Sequence, residues 1–286
     1  MSQSRKSQRS EVVPPHGGAR GPVGPVAEAV GLRPLSARSA VASVLLGMDP
    51  PALSPRLLVR SGELLGVSEG TTRTALSRMV AAGELEHDAE GRYRLAGRLL
   101  ARHGRQQASR RARVRDWDGG WVQALVVGER RSAPARAELR TAMATLHLAE
   151  VREGVWVRPD NLDPDRFPAA RAVVAEQCRW WRSAPTDDDP AALAARLWDL
   201  EGWAADADRL LDELAPFEVA LAAADTDALA PGFVAAAGVL RHLLADPLLP
   251  DELVPADWPG PRLRATYERY LADFQATWRT WFRTQT

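Results

Sequence analysis

Between Ser36 and Leu95 the chain is interrupted so regularly that only three short helices and a hairpin fit. Val41, Val44, Leu45 and Met48 fall at helical spacing, and Pro50 and Pro51 stop that run. Ser54 then offers an N-cap with Pro55 at the first helical position, and Leu57, Leu58, Leu64 and Leu65 carry a second helix to Gly66. A third helix is predicted from Ser68 to Ala82, closed by Gly83. Leu85-Glu86-His87 and Arg92-Tyr93-Arg94-Leu95 flank the turn-rich Asp88-Ala89-Glu90-Gly91, the pattern of a short hairpin. Three helices followed by a hairpin predict a winged helix-turn-helix over residues 36–98.

The remainder divides by pattern. Residues 1–35, rich in Pro and Gly and without a period of 2 or 3.6, read as a disordered, mildly basic arm. Residues 99–116 are Arg-rich with little apolar periodicity after Leu100 and read as a linker. Trp117 to Val127 alternates as a strand, Pro134 to Leu146 as a helix, and Leu148–Val151 with Val155–Val157 as a strand pair hinged on Glu153-Gly154. Val173 to Trp181 is strand-like again, so residues 117–184 are expected to form a small ferredoxin-like domain. Beyond it, residues 185–286 read as a helical domain. Asp187, Asp188 and Asp189 stand before Pro190 as an N-cap cluster, and Leu193, Leu197, Leu200 and Leu211 mark one helix. Leu263, Tyr267, Tyr270, Leu271, Phe274, Trp278 and Trp281 form an apolar stripe, as core or as dimer interface. The fold class is α+β.

Charge is divided unevenly. Residues 1–115 hold 19 Lys+Arg against 9 Asp+Glu, a balance of +10, and the rest, with 18 against 28, carries −10. A basic segment that also holds a reading module is the footprint of nucleic-acid binding. The lone Cys178 excludes a disulfide framework and a thiolate metal cluster. The five His have no paired helical spacing, so no metal site is expected, and no cofactor. G-x-S-x-G, P-loop and G-x-G-x-x-G signatures are missing, and no catalytic residue is nominated. The longest charge-free stretch, Ala228 to Leu240, is shorter than a membrane span and contains Pro231 and Gly232, so a cytoplasmic protein without membrane association is expected.

Phasing the third helix on Leu76 puts Thr72, Met79 and Val80 inside and turns Gly70, Thr71, Thr74, Ser77 and Arg78 outward. Small hydroxylated side chains permit close approach to a major groove, and Arg gives bidentate contacts to guanine or phosphate. With Arg92 and Arg94 on the hairpin, this face is the candidate DNA interface; the bland alternative is a solvated helix surface. All ten Trp lie after residue 116. They fit core packing or an aromatic-lined pocket, for which Trp180, Trp181, Trp198 and Trp203 are candidates. An anionic ligand would need Arg at the pocket mouth, where Arg179, Arg182 and Arg241 are available.

Three blocks resemble the PaaX family of bacterial transcriptional repressors. One is Gly66-Val67-Ser68 through Arg73-Thr74-Ala75-Leu76-Ser77-Arg78-Met79 to Gly83. A second comprises Trp117-Asp118-Gly119-Gly120-Trp121, Leu139-Arg140 and Gly154-Val155-Trp156-Val157-Arg158-Pro159. A third is Leu240-Arg241-His242-Leu243-Leu244-Ala245-Asp246-Pro247-Leu248-Leu249-Pro250-Asp251-Glu252-Leu253 with Asp257-Trp258-Pro259-Gly260. The resemblance implies a homodimer that binds palindromic, double-stranded operator DNA, represses a catabolic operon and is released by a small-molecule effector, an aromatic acyl-CoA thioester. It also adds Arg73 to the DNA-binding set and implies that residues 185–286 serve effector binding and dimerisation. Two other classes compete: an acyl-CoA enzyme with an accessory winged helix, and an interaction protein that has lost DNA binding.

Overall fold

The computed structural model describes residues 36–112, 114–127, 131–184 and 189–285. The expected N-terminal arm and the carboxylates Asp187 and Asp188 lie outside the described residues.

The chain opens with α1 (Ala37–Gly47), α2 (Pro55–Leu64) and α3 (Glu69–Ala81). Each is capped by a serine, Ser36, Ser54 and Ser68, whose hydroxyl accepts from the backbone N–H three residues on. Between α1 and α2 runs β1 (Ala52–Leu53). After α3, Gly83 takes φ +65°, a left-handed turn that a residue with a Cβ enters only under strain, and the chain reverses into β2 (Leu85–His87) and β3 (Tyr93–Leu95). The three strands pair antiparallel in the order β1-β3-β2.

The predicted linker is instead largely helix. α4 runs from Gly97 to Arg110, turning Leu99, Gln106 and Ser109 inward. Two of these three buried residues are polar, which is why hydrophobic periodicity passed over the helix. Arg110 leaves the expected basic surface to pair with Glu268 at 2.6 and 2.7 Å.

The middle of the chain has the order β4 (Trp121–Val126), α5 (Ala133–Thr145), β5 (Ala149–Arg152), β6 (Val155–Pro159), α6 (Pro168–Gln177), β7 (Cys178–Ser183). Its sheet is antiparallel, ordered β5-β6-β4-β7, and α5 and α6 close a core of Ala124, Leu139, Met143 and Val174 over it. The segment Val173–Trp181, expected as strand, divides at Cys178. Pro168 starts a helix at its first turn, and the β-branched Val173 and Val174 that imitate a strand belong to that helix.

The last third contains α7 (Pro190–Leu197), α8 (Leu200–Ala222), α9 (Leu229–Ala245) and α10 (Gly260–Thr284). The single helix expected across Leu193–Leu211 is two, because Trp198 is extended and the Asp199 carboxylate accepts from Gly202 N–H at 2.9 Å to cap a new start. Asp189 caps α7, accepting from Ala191 N–H at 3.3 Å. The aromatic stripe is core: Leu263, Tyr267, Tyr270, Leu271, Phe274 and Trp278 are buried and Trp281 packs against their edge. With its preceding turn, α9 has the length and composition of a membrane-crossing helix, but its stripe of Leu229, Phe233, Ala236, Val239 and Leu243 is buried among α8 and α10.

Residues from α1–α4 and α8–α10 share one apolar cluster. The first and last thirds of the chain are therefore packed together, and Gln275 Nε2 donates to the Gly47 carbonyl at 2.9 Å across that contact.

Candidate nucleic-acid interface

α3 is fixed from beneath. Thr72, Ala75, Leu76 and Met79 are buried against α1 and α2, which leaves Thr71, Arg73, Thr74, Ser77 and Arg78 exposed on the other side. This is the phasing expected from Leu76, with Arg73 added. Thr74 Oγ1 donates to Gly70 O at 2.9 Å and Ser77 Oγ to Arg73 O at 3.2 Å, so both hydroxyls keep outward lone pairs that can accept from base amino groups. Arg73 is tied to Glu69 at 2.8 Å. Arg78 has no carboxylate partner among the described residues.

The hairpin arginines are compensated. Arg92 Nε donates to Asp88 at 2.7 Å and its Nη2 to Glu90 at 3.1 Å, while Asp88 Oδ1 also accepts from the Arg92 backbone N–H at 2.8 Å and closes the turn. Arg94 pairs with Glu86 at 3.1 Å. Residues 36–98 hold eight basic and seven acidic residues, a balance of only +1, whereas residues 99–115 hold six Arg and no acid. Most of the basic third's charge thus sits on α4 and the few residues after it.

One element of the site had no sequence signal. Glu84 sits just after α3 with its side chain 2% exposed, accepting from Arg38 at 2.7 and 2.8 Å and from Arg98 at the start of α4. The hydrogen bond from Arg38 holds its carboxyl below the usual range, with Arg98 adding to it and burial opposing. The two guanidinium groups themselves cover Glu84 near the protein surface, and one carboxylate locks α1, α3 and α4 together.

The effector candidates do not meet in a single cavity among the described residues. Trp180, opposite Ala124 in the sheet, lines a cavity of about 220 Å3 with Arg158, Asp160 and Arg171. Trp198 packs 6.3 Å from Trp121 in a separate cluster beneath α7. Arg179 and Arg241 are exposed on β7 and α9. Trp181 is also exposed, and Arg182 pairs with Asp118 and Asp160. Trp203 is sandwiched between His242 at 4.3 Å and Trp258 at 4.5 Å, a packing role.

These features define a protein of mixed helix and sheet, with two small antiparallel sheets and a helix presented outward near its N-terminal end. PaaX-like protein matches residues 36–99 and the PaaX-like protein C-terminal domain matches residues 198–284. The uncharacterized protein Rv0674 from Mycobacterium tuberculosis superposes with a TM-score of 0.68 at 43% identity, over 86% of this chain and 98% of that one. No curated protein matches. The chain belongs to the PaaX-like family, whose members are in general transcriptional regulators rather than enzymes.

Proposed function

We propose that this chain is a DNA-binding transcriptional regulator, with residues 36–98 acting as a winged helix-turn-helix and α3 as the helix that enters the major groove. The observation that carries this reading is the exposed face of α3, where Thr71, Thr74 and Ser77 surround Arg78, a cation without a carboxylate partner among the described residues. Small hydroxylated residues let the helix approach base edges, and a free guanidinium gains more from phosphate or guanine than one already paired. Arg92 and Arg94 serve chiefly to shape the hairpin, since each would have to exchange a carboxylate for a phosphate to contact DNA.

A single module of this size reads too few bases for a unique genomic site, so the protein acts as a homodimer on a palindromic operator. The strand order of residues 117–184 suits a ferredoxin-like domain joining the DNA unit to the helical one. The regulator is a repressor of a catabolic operon, released when a small molecule such as an aromatic acyl-CoA binds outside the DNA unit. Selection of genomic fragments by the purified protein, followed by light scattering of the complex, tests both claims. The expected result is a two-fold symmetric site bound by a dimer; enrichment of no sequence, or a monomer both free and on DNA, overturns it.

A further inference from the structure

A cavity of about 480 Å3 opens where α4, α5, the turn at His147, the loop before α6 and the end of α9 meet. Arg105 from α4, Arg140 from α5 and Arg166 from the loop all stand on its wall, and no carboxylate does among its lining residues. Arg105 and Arg140 are exposed and have no carboxylate partner among the described residues. Arg166 is only 3% exposed, with its guanidinium 4.7 Å from the centre of the Phe167 ring. Like charges gathered around one space repel, and an anion placed between them relieves that repulsion. Phe167 and Leu244 give the cavity an apolar side. Its size lies in the range that accepts an organic molecule rather than a bare ion.

His147 is another lining residue. Burial, with the nearby Arg158, Arg166 and Arg264 adding to it, pushes its pKa down to about 3, so the imidazole contributes no charge at neutral pH.

We propose that this cavity binds a small organic anion, with a carboxylate or phosphate held by Arg105, Arg140 and Arg166 and an apolar body against Phe167 and Leu244. The position of Arg105 gives the site a route to the rest of the molecule. α4 starts two residues after β3, anchors Leu99 in the core shared with α1–α3, and holds Glu84 through Arg98. An anion that draws Arg105 inward therefore acts on the same rigid helix that fixes the end of α3. This coupling, unlike the binding itself, rests on the regulator reading. It requires that the anion bind the DNA-free protein and the DNA-bound protein with different affinities.

The experiment is calorimetric titration of the full chain with inorganic phosphate, benzoate and phenyl phosphate, repeated with the double variant Arg105→Gln/Arg140→Gln and the control Arg111→Gln. Thermal melting of each protein reports whether it folds. One site per chain is expected, filled by phenyl phosphate or benzoate in preference to inorganic phosphate and weakened at least about tenfold in the double variant but not in the control. Preference for phenyl phosphate assigns a phosphate ligand, and preference for benzoate a carboxylate. Failure of all three to bind more tightly than about 1 mM, or an affinity within about twofold in the folded double variant, overturns the site. Repeating the titration with selected genomic DNA separates the two readings. Anion binding indifferent to bound DNA removes the coupling, and anion binding by a protein that selects no DNA removes the regulator reading while the site stands.

Discussion

Arg158 on β6 and Leu248 beyond α9 are 90 residues apart, yet Arg158 Nη2 donates to the Leu248 carbonyl at 3.1 Å in the buried interior. Leu248 adopts a left-handed φ of 53°, and Asn161 Nδ2 donates to the same carbonyl at 2.9 Å. Arg158 also donates to Leu146 O at 3.0 Å and Asn161 Oδ1 at 2.7 Å. Burial, with Arg166 and Arg171 nearby, pushes its pKa down to about 9, which still leaves it charged at neutral pH. Nearby, Asp246 accepts from Arg264 at 2.6 Å and from Leu248 N–H at 2.8 Å. Two of the sequence blocks shared with the family thus meet at one junction between the middle sheet and the C-terminal helices.

Removing the cation at this junction leaves buried carbonyls without donors. Arg158→Leu is expected to lower stability by roughly 2–4 kcal/mol and Asn161→Ala by roughly 1–2 kcal/mol, read from urea unfolding midpoints. An Arg158→Leu protein as stable as the parent would show that the interior tolerates these carbonyls unpaired.

On the DNA side, Arg78→Ala should weaken binding to all sequences and reduce the salt dependence by about one phosphate contact. Thr74→Ala should instead relax preference at one operator position, costing about 1–3 kcal/mol for the favoured base. A salt titration with unchanged slope and affinity removes Arg78 from the interface. An unaltered selected site does the same for Thr74.

His147 makes stability sensitive to acid. Its pKa is about 3 when folded, against an ordinary value of 6.5, so between those pH values the unfolded chain holds a proton that the folded chain lacks. Stability therefore falls as pH drops below 6.5, by at most about 1.4 kcal/mol per pH unit from this residue, and by less because His147 lines a cavity and is only half-buried. His147→Asn suits the left-handed φ of 54° and removes the effect. Comparing unfolding midpoints at pH 7 and pH 5 should give a smaller loss in the variant than in the parent. His103 and His242, also pushed down by burial, act alike in both proteins. Equal losses would mean that His147 keeps its proton on folding.

The elements that carry their own punctuation were legible in the sequence. Ser54 and Ser68 mark helix starts, Gly83 and Gly154 mark reversals at φ +65° and +76°, and the stripe on α10 has helical spacing throughout. Legibility failed where the informative partner was distant. α4 is held partly by polar side chains and by Glu268, 158 residues away from Arg110, and neither leaves an apolar period. The compensation of Arg92 and Arg94 was present as neighbouring acids, but counting charge over 115 residues concealed it. The cationic cavity joins α4 to α5 and the loop before α6, a juxtaposition that no local pattern encodes.

The seating of α3 depends on a second long-range detail, the contact between Gly62 on α2 and Thr72 on α3. A Cβ built on Gly62 would collide with Thr72 Oγ1 and lie 3.3 Å from its Cγ2, so the two helices approach as closely as they do because position 62 carries no side chain. Ala is the better helix former by about 1 kcal/mol, but relieving the collision means shifting α3 or forcing the Thr72 rotamer, at roughly 1–3 kcal/mol. Gly62→Ala should therefore destabilise the protein on balance and weaken DNA binding, because α3 moves. Thr72 Oγ1 is buried and has no hydrogen-bond partner among the described residues. Thr72→Val, which keeps the shape and removes the hydroxyl, should raise stability by about 1 kcal/mol. Thr72→Ala opens space for the new methyl, so Gly62→Ala/Thr72→Ala should be more stable than the two single changes summed, by at least about 1 kcal/mol. A double-mutant cycle by urea unfolding measures that difference directly. Simple additivity would mean that α3 is positioned by Leu76 and Met79 alone, and that the glycine serves some purpose other than close approach.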